Sequence, residues 1–291
     1  MEKLRGHATA PTSAGEATAR DLYLDLLKRQ LTRALTEDND LLFGLPNSWE
    51  RRNWAQRSAD AAGAFLRRRG LELVRKRPYD SAAREFGRDW PVRAETMIGL
   101  RRLDNLQLAV ETVLAEGVPG DLVETGVWRG GAVIFMRAVL RAHGATDRTV
   151  WAADSYEGLP KPGPDRHPVD AHDNYEFGIL VAGLDEVRHN FERYGLLDDQ
   201  VRFLVGWFKD TLQAAPIEKI AVLRLDGDMY GSTMQALTAL YDKVQPGGFC
   251  IIDDYGAIGA CRRAVADFRQ HNRVEEEIVD IDGSGVYWRK R

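Results

Sequence analysis

The sequence predicts an α/β fold. It reads as a doubly wound, mostly parallel sheet of seven strands closed by a C-terminal antiparallel hairpin and preceded by a helical segment. Three observations predict it. From Asp121 onward, five short apolar runs alternate with stretches of helical period. Two of the runs, Ile220–Asp226 and Gly248–Asp253, are apolar almost throughout and end in carboxylates, as buried parallel strands opening onto a ligand crevice would. Near the end, Asp282-Gly283 separates Glu276–Ile281 from Gly285–Arg289, a hairpin turn signal.

The elements follow in order. Met1 to Thr18 is polar and rich in Ala, Thr and Gly, with no apolar stretch suited to a signal peptide, so residues 1–20 are expected to be a disordered tail. Asp21 to Leu35 places Leu22, Leu26, Leu27, Leu31 and Leu35 at helical spacing. Glu37 to Asn47 is a turn-rich break. Asn53 to Arg77 is expected to be helical and carries Arg67, Arg68, Arg69, Arg75, Lys76 and Arg77. That run suits an acidic partner or RNA, but it lacks interleaved aromatic residues and reads better as a solvated face. Arg93 to Glu116 reads as one more helix, ended by Pro119-Gly120. Residues 21–116 thus form an N-terminal helical segment, and 117–291 the domain of alternating strands and helices. In that domain the expected strands are Asp121–Thr125, Thr149–Ala153, Val201–Val205, Ile220–Asp226 and Gly248–Asp253. The helices between and after them are Gly131–His143, Asp185–Tyr194, Asp210–Ala214, Ser232–Val244 and Ile258–His271.

Composition narrows the classes. The chain has 291 residues and a formal net charge of -4, which favours neither nucleic acid nor a membrane surface. No run approaches the length of a membrane span. Cys250 and Cys261 lack metal-type spacing and read as reduced core thiols of a cytoplasmic protein.

The first strand runs into Glu124-Thr125-Gly126-Val127-Trp128-Arg129-Gly130-Gly131. Glycine permits a tight turn and a close backbone approach, and the helix that follows offers free N–H groups. The spacing is not the Gly-x-Gly-x-x-Gly of dinucleotide binders, which favours a ligand without a pyrophosphate. Asp154, at the second strand's tip, can accept both hydroxyls of a ribose. A cap or a loop contact is its structural alternative. Glycine turn and acid together describe an adenosine site such as S-adenosylmethionine requires. Trp207 and Phe208, after the third strand and before Asp210, can border an adenine or simply pack in the core. Ser155 to Phe177 is a long loop with His167, His172, Asp173 and Tyr175, read as a lid or as a solvated insertion.

Asp226, Asp228, Asp253 and Asp254 are the sharpest signal. Two strands deliver paired carboxylates to one crevice with little basic sequence beside them. Such a cluster repels itself unless a hard cation is bound, and oxygen donors suit Mg²⁺.

With these residues in view, the chain from about Asp21 to Arg289 resembles the macrocin O-methyltransferase family. The resemblance rests on Ala94-Glu-Thr-Met-Ile-Gly, Gly120-Asp-Leu-Val-Glu-Thr-Gly-Val-Trp-Arg-Gly-Gly, Asp154-Ser-Tyr-Glu-Gly-Leu-Pro, Leu225-Asp-Gly-Asp-Met-Tyr and Ile252-Asp-Asp-Tyr. It implies a class I S-adenosylmethionine-dependent methyltransferase fold in residues 117–291, an N-terminal helical segment 21–116 that helps close the active site, a Mg²⁺ requirement, a homo-oligomer and transfer to a sugar hydroxyl of an antibiotic. By the same resemblance Asp226, Asp253 and Asp254 are metal ligands and Asp226 is also the general base. Thr96, Met97, Glu124, Thr125, Gly126, Arg129, Asp154 and Ser155 are cofactor contacts, to which the strand-end reading adds Trp207 and Asp210. The expected substrate is a small-molecule glycoside with a vicinal diol. Three other readings stand beside this one. They are a metal-dependent catechol-type O-methyltransferase, a nicotinamide oxidoreductase, and a non-catalytic RNA-binding or scaffold protein.

Overall fold

The structure is a computed structural model and describes residues 17–42, 53–161, 167–170 and 178–291. Most of the expected tail, Asn47, and the loop residues Pro162, Pro164, His172, Asp173 and Tyr175 lie outside the described residues.

The N-terminal part holds α1 (Ala19–Leu31), β1 (Leu41–Leu42), α2 (Trp54–Arg67), β2 (Val74–Arg75), α3 (Ser81–Glu85) and α4 (Gly99–Ala115). Helix α1 starts two residues before its expected beginning. Thr18 and Asp21 form a reciprocal capping box there, which satisfies two orphan backbone donors. Leu24, Leu27 and Leu31 then line its buried face. The expected Asn53–Arg77 helix ends at Arg67, and Gly70 turns the chain with φ 72° into β2, which pairs antiparallel with β1. Arg77 is spent internally, donating to Asn39 Oδ1.

The expected Arg93–Glu116 helix begins only at Gly99. Here two glycines let two backbones touch. A Cβ on Gly99 would lie 2.3 Å from the Gly87 nitrogen, and one on Gly87 would lie 2.7 Å from the Ile98 carbonyl. Residues 93–98 are therefore a cover of turns and bends rather than part of the helix, and this puts Thr96 and Met97 at the site.

From Asp121 the order is β3 (Asp121–Thr125), α5 (Gly131–Ala142), β4 (Val150–Asp154), α6 (Leu184–Arg193), β5 (Val201–Val205), α7 (Phe208–Thr211), β6 (Ile220–Leu225), α8 (Tyr230–Leu240), β7 (Val244–Ile252), α9 (Gly259–Asn272), β8 (Val279–Asp280) and β9 (Val286–Arg289). Among the described residues these strands form one seven-stranded sheet in the order β5-β4-β3-β6-β7-β9-β8. The first five run parallel, β9 runs against them, and β8 pairs antiparallel with β9 at the edge. The order reverses between β3 and β6, where an open α/β sheet splits to admit a ligand.

Alternation along the strands divides the core. Leu122, Val222 and Ile251 face α1, α4 and α5, while Val123, Leu223, Cys250 and Ile252 face α8 and α9. Helices α1 and α4 thus share a core with α5 and the sheet. Cys250 and Cys261 are buried and unpaired. Among the described residues no helix is long and apolar enough to cross a membrane.

Candidate active site

A cavity of about 840 Å³ opens over the carboxyl ends of β3, β4, β6 and β7. That volume falls in the range of small-molecule sites. Its two ends are built by different parts of the sheet.

One end is a cradle at the tips of β3 and β4. Gly126 leaves β3 with φ 83°, and Gly130 enters α5 at φ 89°. The need for glycine at 126 is tertiary as well as local. A Cβ there would lie 1.5 Å from the Asp226 carbonyl oxygen. Gly131 is equally constrained, since a Cβ would lie 2.5 Å from the Thr96 Cβ. Its N–H donates to the Glu95 carbonyl at 2.9 Å, which lays residues 94–97 across the start of α5. Asp154 accepts from Val127 N at 2.6 Å and from Tyr156 N at 2.7 Å. Its carboxylate thus fixes both loops, accepts also from the Ser155 hydroxyl at 3.4 Å, and lines the cavity. Burial raises its pKa, against the pull of the Val127 and Tyr156 amides.

Thr96, Met97, Glu124, Gly126, Asp154, Ser155 and Trp207 all line the cavity. Three other expected cofactor contacts do not. Thr125 is fully buried beneath the strand tip. Arg129 turns away, its guanidinium donating to the Val92 carbonyl and pairing with Glu186 at 3.1 Å, so it holds the 92–94 cover in place. Asp210 is exposed on α7, outside the lining, because the helix begins at Phe208 and turns that side chain to solvent. Trp207 is half-buried and Phe208 lines the cavity beside it.

The other end is ionic. Strand register places Glu124 beside Arg224, and Arg224 beside Ile251, two residues short of Asp253. Arg224, 2% exposed, pairs with Glu124, with Asp253, and with Asp226 at 3.0 Å. Arg102 of α4 pairs with Asp253 from the other side and with Asp282 at 3.1 Å. Burial pushes the Glu124 carboxyl up to about 8 in spite of Arg224. The expectation of little basic charge near the acids is therefore corrected: two arginines stand among them.

These arginines sort the acids. Asp253, expected as a metal ligand, is held between two guanidiniums. The carboxylates whose oxygens lie within 4.8 Å of one another belong to Asp226, Asp228 and Asp254. Among the described residues, the cations paired with the group Glu124, Asp226, Asp228, Asp253, Asp254 and Asp282 are Arg102 and Arg224, an excess of four negative charges within this group if all six acids ionise. Burial and mutual repulsion raise the pKa of Asp228, Asp226 and Asp254. A hard divalent cation relieves that excess, and all-oxygen donors facing a cavity suit Mg²⁺, so the residues fit the ion.

Several contributors went unread in the sequence. Arg224 did carry a signal, as a lone charge inside a six-residue strand whose every residue is buried. Arg102, Asp282 and Asp170 carried none, because they reach the site only through tertiary packing.

A glycine-turned β3–α5 junction, an acid at the β4 tip and the strand order β5-β4-β3-β6-β7-β9-β8 define a class I S-adenosylmethionine-dependent methyltransferase. Comparison with known proteins agrees. The profile of the macrocin O-methyltransferase (TylF) family matches residues 20–290, and the chain belongs to this family. It is an S-adenosylmethionine-dependent O-methyltransferase. The chain is 54% identical over 275 residues to an 8-demethyl-8-(2,3-dimethoxy-alpha-L-rhamnosyl)-tetracenomycin-C 4'-O-methyltransferase of Streptomyces olivaceus, covering 93% of each chain. It is 49% identical over 278 residues to the mycinamicin III 3''-O-methyltransferase of Micromonospora griseorubida, covering 94% of this chain and 98% of that one. Among solved structures, the O-methyltransferase NovP superposes with a TM-score of 0.79 at 44% identity, covering 93% of this chain and 99% of that one. These findings set aside the oxidoreductase and RNA-binding readings.

Proposed function

We propose that the enzyme transfers the methyl group of S-adenosylmethionine to a sugar hydroxyl of a natural-product glycoside, with Mg²⁺ held by the aspartate cluster. One observation carries this reading. The trio Asp226, Asp228 and Asp254 lies in the same cavity as the cofactor cradle, joined to it where Gly126 meets the Asp226 backbone. The Streptomyces olivaceus relative is named for O-methylation of a rhamnosyl-tetracenomycin, which supports a sugar acceptor.

The acceptor oxygen attacks the methyl carbon in line with the C–S bond. That bond's electron pair leaves on sulfur, giving S-adenosylhomocysteine, and the hydroxyl proton passes to a carboxylate. Asp226 is suited to take it, because burial and Asp253 raise its basicity more than Arg224 lowers it. Bound Mg²⁺ would lower the pKa of the hydroxyl, and a vicinal diol would offer it two oxygens. Thr96, Met97, Gly126, Asp154, Ser155 and Trp207 would hold the cofactor, and the remaining catalysis would be positioning. A homo-oligomer in the cytoplasm fits this reading, supported by Leu22 and Leu26 exposed on α1 and by two buried thiols.

The test is methyl transfer from labelled S-adenosylmethionine to a rhamnosyl tetracenomycin, demethyldecarbamoylnovobiocin and a simple catechol. Methylation of a sugar hydroxyl, located by NMR, supports the reading. Methylation of the catechol alone selects the catechol-type alternative.

A further inference from the structure

Helix α8 follows directly on the turn that carries Asp226 and Asp228. Its N-cap residue is Met229, whose side chain accepts no hydrogen bond. The first backbone N–H groups of a helix need an acceptor. Here it comes from far away in the chain. Asp170, 4% exposed, accepts from Tyr230 N at 2.6 Å and from Gly231 N at 2.9 Å. Glycine at 231 leaves room for this, since a Cβ there would lie 3.3 Å from Asp170 Oδ2. The same helix start is gripped twice more. The Tyr230 hydroxyl bonds to Asp267 at 3.2 Å, and the His167 ring stacks on Tyr230 at 3.9 Å. His167 and Asp170 both line the cavity.

The turn held in this way is a costly one. Asp228 sits at φ 55°, in the left-handed region, which aspartate tolerates better than most residues but still at a backbone cost. Its N–H donates to Asp254 at 3.2 Å, so the turn and the carboxylate trio are one unit.

We propose that Asp170 is a positioning residue for the metal cluster. It caps α8 in place of Met229 and thereby fixes the left-handed turn that aims Asp226 and Asp228 at Asp254. The seating of residues 167–170 and the occupancy of the cluster are then linked, and each favours the other. This rests on the metal-binding reading above.

The experiment measures Mn²⁺ binding by electron paramagnetic resonance, and amide exchange at Tyr230 and Gly231 with and without Mn²⁺. Wild type, Asp170→Asn and Asp170→Ala are compared. Loss of a cap of this kind, if passed wholly to the cluster, weakens Mn²⁺ binding by about 3- to 10-fold in Asp170→Ala. Asp170→Asn keeps one acceptor and falls between. Mn²⁺ slows exchange at both amides in wild type and does so less in Asp170→Ala. S-adenosylhomocysteine affinity, read by calorimetry, stays within about twofold throughout and shows the variants folded. Unchanged Mn²⁺ affinity in Asp170→Ala, or exchange at the two amides indifferent to Mn²⁺, overturns the linkage alone. An equal loss of S-adenosylhomocysteine affinity makes Asp170 a general fold residue and overturns it too. Wild type that binds S-adenosylhomocysteine but no Mn²⁺ overturns the metal reading, and this inference with it.

Discussion

Replacing Gly126 with alanine tests how the two ends of the cavity are joined. The added Cβ would lie 1.5 Å from the Asp226 carbonyl oxygen, where real Cβ contacts stay beyond 3.0 Å. Strands β3 and β6 must therefore part at their tips by roughly the 1.5 Å difference. That movement breaks the bond from Asp226 N to the Thr125 carbonyl, now 2.8 Å. Losing this bond costs about 0.5–1.5 kcal/mol, and holding alanine at φ 83° costs about 1–2 kcal/mol more. The sum, roughly 1.5–3.5 kcal/mol, lowers the melting temperature by about 2–6 °C, given an unfolding entropy of about 2.1 cal/mol/K per residue in a chain of this size. Gly144→Ala is the control. Its φ is 65° and nothing lies within 4 Å of its Cβ position, so it carries the backbone cost without the clash. Thermal unfolding, with titrations of S-adenosylhomocysteine and Mn²⁺, reads the outcome. Gly126→Ala should weaken both ligands together and melt below Gly144→Ala. If the two variants melt together and Gly126→Ala binds both ligands normally, the account of the junction is wrong.

Two further predictions follow from the same geometry. Asp228→Asn should remove most of the Mn²⁺ affinity, because Asp228 belongs to the trio. Asp253→Asn should instead act first on stability, by about 3 kcal/mol, because it breaks buried pairs with Arg102 and Arg224. The reverse order in Mn²⁺ titrations and melting curves would restore the set Asp226, Asp253 and Asp254. Far from the site, Arg137 of α5 holds Asp198 through both of its oxygens, and its hydrogen bonds keep that carboxyl below its ordinary pKa. A depressed folded pKa gives stability that is complete above the unfolded value, about 3.9, and is lost as pH falls through the folded value. The stability gap between wild type and Arg137→Met should accordingly be flat from pH 5 to 7 and close below about pH 4. A gap independent of pH down to pH 2 in denaturant titrations would contradict that assignment.

The sheet was legible in the sequence because its central strands are buried on both faces and its parallel strands run into glycine or aspartate. Asp121–Thr125 and Val201–Val205 appear as read. The N-terminal part was harder, because its breaks depend on contacts rather than on local propensity. Leu100, Leu103 and Leu106 continue a helical period back toward Arg93, but Gly99 packs on Gly87 and stops it. At the site, the strand tips announced Asp226, Asp228, Asp253 and Asp254, while the partition among them could not be read. It depends on Arg102, which arrives from α4, and on Arg224, hidden in an apolar run. Arg129 and Asp210 stand outside the lining for the complementary reason. Polar residues beside a ligand loop look like contacts until the structure shows one bracing the 92–94 cover and the other facing solvent.

The central claim is that one cavity brings the reactive methyl group and a divalent cation together. Its most direct test is the NMR line width of S-adenosylmethionine, labelled with ¹³C at the S-methyl and bound to the enzyme, as Mn²⁺ is added. The account predicts strong paramagnetic broadening at stoichiometric Mn²⁺ in wild type and little in Asp254→Asn. A methyl signal that stays sharp in wild type at saturating Mn²⁺ would contradict it.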